Sequence, residues 1–193
     1  MKRLLITVAT IFMMREALAT PVEGSAKGAV TTQKDLTCYV YPKYVVQTRN
    51  TPGDLGETIR VYKRSKQMHD CDTAGQSPLL EFMAQTNDDP NYFDGIVVDF
   101  LLIGQYTSNL GSLDVYDLSS AKRVHNAEFI REVRVTSNRF IVYVKYLKTI
   151  ESKAECPRGT KVRNIDDGIA ALISFDTKTG KEKEIKRFCA YFE

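Results

Sequence analysis

The chain has 193 residues, with 27 Lys and Arg against 24 Asp and Glu, a formal net charge of +3, and only two His. Acidic and basic residues are interleaved, as in Lys181 to Arg187 with its Glu182 and Glu184, which argues against a nucleic-acid-binding stripe. Length and composition suit one domain with a real core, and no apolar run reaches the ~20 residues that a membrane-spanning helix needs.

The chain opens with Met1-Lys2-Arg3, an apolar run from Leu4 to Met14, and Ala17-Leu18-Ala19. A cationic head, a short apolar stretch and a small-residue site in that order predict a cleaved signal peptide over 1–19. No Cys follows the apolar run, so no lipid anchor is expected. The exported part is expected to start at Thr20, with a small, polar, mobile arm over 20–37 and a single β-rich domain over 38–193. Export is expected to place the protein outside the cytoplasm.

From Cys38 onward, Tyr, Val, Ile, Phe and Thr cluster in short runs between turn residues, the pattern of antiparallel strands. The expected strands are Cys38–Gln47, Thr58–Lys63, Leu79–Gln85, Ile96–Gln105, Ser112–Leu118, Lys122–Glu128, Glu132–Thr136, Phe140–Leu147, Ala170–Asp176, Glu182–Arg187 and Phe188–Phe192. Turns are expected at Asp54-Leu55-Gly56, Asn87-Asp88-Asp89-Pro90, Asp94-Gly95, Ser119-Ser120, Ser137-Asn138, Asp167-Gly168 and Thr179-Gly180. The only helical turn expected is a short one near Ser65–His69.

Two stretches resemble each other. Leu113-Asp114-Val115-Tyr116-Asp117 runs through Leu118-Ser119-Ser120 to Ala121-Lys122-Arg123-Val124. Leu172-Ile173-Ser174-Phe175-Asp176 runs through Thr177-Lys178-Thr179-Gly180 to Lys181-Glu182-Lys183-Glu184. Each is an apolar strand ending aromatic–Asp, then a polar turn opened by that Asp, then a basic strand. Repeated hairpins of this kind build propeller blades and related sheet arrays. The expected fold is therefore mostly β and antiparallel, a β-propeller-like array of small sheets with disulfides, with a β-sandwich as the alternative.

The cysteines are Cys38, Cys71, Cys156 and Cys189. An even number in an exported chain predicts disulfides, and three connectivities are possible. Two lie in each half with equal separation, which favours Cys38–Cys71 and Cys156–Cys189. There is no Cys-x-x-Cys, so neither a metal site nor a thiol nucleophile is expected.

Motifs of catalysis are missing: no Gly-x-Ser-x-Gly elbow, no His-Glu-x-x-His, no phosphate loop and no dinucleotide fingerprint. His69 and His125 are the only imidazoles and are expected to be surface or structural. No cofactor is expected. Asp88, Asp89 and Asp94 form an acidic stretch that supplies oxygen ligands for calcium but lacks the spacing of a calcium loop. The expectation is a non-enzymatic scaffold that presents loops to a partner.

The segment from Phe100 to His125 carries a resemblance. It comprises Phe100-Leu101-Leu102-Ile103, the polar Tyr106-Thr107-Ser108-Asn109-Leu110-Gly111-Ser112, Leu113–Tyr116 with Asp117, and Ser120-Ala121-Lys122-Arg123-Val124-His125. Together with Cys38 and Lys186-Arg187-Phe188-Cys189, it resembles the periplasmic immunity proteins of type VI secretion amidase effectors. The likeness covers roughly half of the chain in pieces, and a longer insert between Tyr146 and Ile169 departs from it. The resemblance implies a propeller-like β fold, a periplasmic location and a protein partner, a cell-wall amidase effector whose Cys/His cleft is occluded by an inserted loop. By position that loop is Tyr106, Thr107, Ser108, Asn109, Leu110, Gly111 and Ser112, with Thr107, Ser108 and Asn109 as the plug and Tyr106 and Tyr116 as flanking anchors. The rival expectations are a periplasmic lysozyme inhibitor and a secreted β-rich binding module with a non-enzyme ligand.

Overall fold

A computed structural model describes residues 29–66, 71–84, 90–107, 110–130, 133–136, 139–149 and 168–190. The described residues are all β, in three antiparallel sheets. The first holds β1 (Ala29–Gln33), β2 (Leu36–Val40), β3 (Tyr44–Arg49), β4 (Thr58–Lys63) and β5 (Leu80–Phe82). The second holds β6 (Asn91–Val97), β7 (Phe100–Thr107), β8 (Leu110–Asp117) and β9 (Lys122–Phe129). The third holds β10 (Arg134–Thr136), β11 (Phe140–Thr149), β12 (Gly168–Asp176) and β13 (Lys181–Ala190). In every sheet spatial order equals chain order, so each is an up-and-down meander.

The sheets stack in chain order. Alternation along β7 explains why: Leu101 and Ile103 pack with Tyr39, Tyr44, Val46 and Ile59 of the first sheet. Leu102 points the other way, into a cluster with Ile141, Tyr143, Ile173 and Phe175 of the third. Successive strand side chains face opposite sides, so a strand buried on both faces reads as one unbroken apolar run. A two-sheet sandwich would bury one face of each sheet, whereas here the middle sheet is buried on both. The expected array of small antiparallel sheets is present. Three sheets are fewer than the roughly four to eight blades of a propeller, and among the described residues no sheet closes on itself.

The likeness between the two hairpins is structural. In β8–β9, Asp117 accepts from Ser119 N (2.8 Å), Ser119 Oγ (2.7 Å) and Ser120 Oγ (2.9 Å). In β12–β13, Asp176 accepts from Lys178 N and Thr179 Oγ1, both at 3.0 Å. The fourth turn residue is left-handed in each, Ala121 (φ 53°) and Gly180 (φ 65°). The repeat goes further than the sequence suggests. Leu118 N donates to Asp99 O at 2.8 Å and Thr177 N to Arg139 O at 3.1 Å, just ahead of Phe100 and Phe140. In the first sheet Arg64 N donates to Lys43 O at 2.8 Å, just ahead of Tyr44. Each meander is thus locked at the same corner by the same bond.

Several expected boundaries move. The arm expected over 20–37 gives way from Ala29 onward, where β1 pairs with β2. The expected strand Cys38–Gln47 is two strands, β2 and β3, and Ile96–Gln105 likewise divides between β6 and β7 at Val98-Asp99. Val98 takes φ 59°, which is unfavourable for a β-branched residue, so no glycine marks the left-handed position of that corner. Asp94-Gly95 is not a turn: β6 continues through it, with Asp94 as the extra residue of a bulge. Glu182–Arg187 and Phe188–Phe192 merge into β13 as far as Ala190.

Cys38 and Cys71 are joined, with Cα atoms 6.0 Å apart, on the outer face of the first sheet with Val45 and Tyr62. Cys189 is disulfide-bonded as well, and Cys156 lies outside the described residues. Such bridges persist in oxidising compartments.

Candidate functional site

The segment proposed as a binding loop is mostly strand. Tyr106 and Thr107 end β7, and Leu110, Gly111 and Ser112 begin β8. Tyr106 pairs with Gly111 and Thr107 with Leu110, leaving Ser108 and Asn109 between them, outside the described residues. The site is therefore the end of a hairpin whose flanks are held by backbone ladder bonds.

Its base is built around two glycines. A Cβ on Gly104 would sit 2.2 Å from Asp94 Oδ2 and 2.6 Å from the Tyr106 ring, and one on Gly111 would sit 2.6 Å from Phe129 Cζ. The absence of side chains there lets the Tyr106 and Phe129 rings lie across the strands, 5.7 Å apart and edge to face. Tyr92 stands 5.6 Å from Tyr106 on its other side. The Tyr106 hydroxyl donates to Asp94 Oδ2 at 2.6 Å. Asp94 is 2% exposed, while Tyr106 remains 42% exposed. The ring is thus anchored at its hydroxyl and still offers surface.

Burial pushes the Asp94 carboxyl up to about 7; the Tyr106 hydrogen bond works against that shift and the Glu57 charge adds to it. Burial, then the Asp94 charge, raises the Tyr106 hydroxyl. Glu57 is buried too, which raises its pKa against the pull of the Phe93 N–H that it accepts at 3.0 Å. A second polar chain crosses the sheet beside this pair. Ser112 Oγ donates to Gln105 Oε1 (2.6 Å), and Gln105 Nε2 donates to Asn91 Oδ1 (3.2 Å). Buried polar groups that are all paired hold one geometry.

Tyr116 does not join this site. It packs against Phe82, 5.0 Å between ring centres, in the core shared by the first and second sheets. Its partner across the ladder is Leu101, near the opposite end of β7 from Tyr106. Glu57 and Asn91 escape sequence reading as parts of this site, and Asp94 reads there as a turn acid, because an acid in Phe93-Asp94-Gly95 looks like a turn and only a bulge turns it inward.

His125 lies in β9, stacked on Phe175 at 4.0 Å. Its Nε2 is 3.0 Å from the Tyr143 hydroxyl, which also bonds Glu182. Burial lowers the His125 pKa against the opposing pull of Glu182. These groups sit in the seam between the second and third sheets, where His125 packs and bonds across it. His69 lies outside the described residues, as do Asp88 and Asp89. Asp94 is committed to Tyr106, and no group of His, Cys, Asp or Glu among the described residues is arranged to hold a metal ion.

No protein-family model matches the chain, and no curated protein sequence matches it.

Proposed function

We propose that the protein is a periplasmic immunity protein, exported by a cleaved signal peptide, that occludes the active site of a peptidoglycan-cutting amidase effector with the β7–β8 hairpin. The observation that carries this reading is the mounting of the hairpin. Its flanks are in register through Thr107 and Leu110, and Tyr106 is anchored by Asp94. A hairpin so held loses little ordering entropy when it enters a cleft. Small hydroxyl and amide side chains at Ser108 and Asn109 suit a narrow catalytic groove, and the exposed part of Tyr106 supplies an amphipathic anchor beside it. The disulfide suits an oxidising compartment.

The test is calorimetric titration of the mature protein into purified type VI amidase effectors, with turbidity assays of wall cleavage. Ser108→Arg and Asn109→Arg are expected to weaken binding by at least about 2 kcal/mol, the size of a hot spot. Each should change stability by less than about 0.5 kcal/mol. Full affinity in a folded Asn109→Arg protein removes the hairpin from the interface. Inhibition of lysozyme with no effect on any amidase assigns the rival inhibitor class instead.

A further inference from the structure

Among the described residues β6 is an edge strand, paired only with β7. Its other side is covered by a loop of the first sheet. The connection 50–57 runs from β3 to β4 and ends on Glu57. Glu57 N donates to Asn91 O at 2.8 Å, and Glu57 Oε2 accepts from Phe93 N at 3.0 Å. One residue thus satisfies two backbone groups of β6 that an added strand would otherwise take. Gly56 lets the loop come so near. A Cβ there would lie 2.8 Å from Asn91 N and O, and its φ of 75° is left-handed. Gly53 is left-handed too, at φ 92°, and an added Cβ there would meet open space. The loop therefore has a permissive backbone joint ahead of its contact.

The contact is built on acids. Glu57 is buried, and so is Asp94 in the bulge next to Phe93. The Glu57 charge acts on Asp94. From β7, Tyr106 donates to Asp94. From β2, Tyr39 stands 4.7 Å from Phe93; burial raises its hydroxyl, and the Glu57 charge adds to that. Among the described residues no Lys, Arg or His bonds to either acid. Two carboxyl groups buried near one another, with phenols rather than cations around them, ionise together only at a large cost.

We propose that the 50–57 connection is a pH-released strap: it closes over the edge of β6 while one of the two acids keeps its proton, and lets go when both are ionised. Burial holds the Asp94 carboxyl up at about 7 and raises Glu57 as well, so the closed form binds more protons than an open form that admits water. A raised carboxyl stabilises the closed form at low pH, and that stabilisation is lost as pH rises, for Asp94 through about 7. Glu57 is the group that moves. It sits on a loop jointed at Gly53 and Gly56, whereas Asp94 is fixed between ladder pairs of β6 and β7, beneath Tyr106. Opening bares Asn91 O and Phe93 N, the kind of edge on which another strand can pair.

The strap does not depend on the amidase reading, and the mature protein alone tests it. Amide exchange is followed at Phe93 and Glu57 at about pH 6 and about pH 8.5, with the intrinsic base catalysis of exchange divided out. Leu118 N, bonded to Asp99 O at the opposite corner, is the control. Protection of Phe93 and Glu57 is expected to fall about tenfold or more across that range, the equivalent of one pKa unit, while Leu118 keeps its protection. Asp94→Asn removes the second charge, and Glu57→Gln keeps the acceptor without the charge, so both should stay protected at both pH values. Equal protection in the wild type at the two pH values overturns the strap, as does a loss that persists in Asp94→Asn. A fall shared by Leu118 means global opening and overturns it too. A carboxyl-carbon NMR titration of the wild type needs no variant: a midpoint for Asp94 near the ordinary value of about 4 also overturns the strap.

Discussion

At one end of the stack, Lys43 bonds both oxygens of Asp99 at 2.9 and 2.8 Å, Tyr44 adds its hydroxyl at 3.1 Å, and Arg139 forks onto Asp176. At the other, Tyr106 is held by a carboxylate buried beneath it, Glu57 accepts from Phe93 N nearby, and a separate, part-buried chain links Ser112, Gln105 and Asn91. The first arrangement spends its hydrogen-bonding groups at the surface on one another. The second buries the carboxylate that holds Tyr106, while Arg49 and Asp35 still pair at the surface there. Corner-locking by Asp-opened turns and ion pairs makes a closed end. Anchoring from beneath holds the Tyr106 hydroxyl while leaving part of the ring exposed.

The largest effect is expected at Gly104. Gly104→Ala drives a methyl into Asp94 and Tyr106 and should cost about 1–3 kcal/mol, the range for overpacking, by denaturant unfolding. Unchanged stability would mean that the hairpin base is loose, and the contrast between the ends would fail.

The pH dependence of the two ends should run in opposite senses. A carboxyl whose folded pKa lies above its unfolded value holds its proton more tightly when folded. Its contribution is therefore present at low pH and lost as pH rises, for Asp94 between about 4 and about 7. Asp94→Asn should melt above wild type at pH 8, with the gap closing toward pH 5. Hydrogen bonds from Arg139 hold Asp176 below the usual carboxylate range, so its contribution is present above about pH 4 and lost as pH falls. Asp176→Asn should melt below wild type at pH 7 and converge with it in acid. Melting curves across pH check both, and parallel displacements would erase the distinction.

The smallest effect is expected at Asp117. Asp117→Ala removes the acceptor of the β8–β9 turn and should cost about 0.5–1 kcal/mol, as for a lost cap. Amidase affinity should stay within twofold, because this corner is at the closed end. A large loss of binding would move the interface there.

Of three possible disulfide connectivities the sequence favours the one with Cys38–Cys71, and the structure holds that bridge. The sequence by itself determined the β class, the Asp-opened repeat and the position of the hairpin. Each rests on local chemistry: β-branched and aromatic runs, a carboxylate facing the N–H groups of its own turn, and polar residues between apolar strands. Tertiary structure decided the rest. Ile96 to Gln105 conceals a corner, because burial on both faces hides the alternation that marks a strand, and Val98 takes a left-handed turn that no glycine announces. Tyr106 and Tyr116 look equivalent as flanking aromatics, yet one is anchored at the hairpin base and the other packs, half-buried, with Phe82 against the core of the first two sheets. Asp94 reads as a solvated turn residue until the bulge aims it beneath Tyr106. Only the stacking of the first sheet on the second brings Glu57 to the edge of β6, because contacts between residues so far apart along the chain follow from packing and not from pattern.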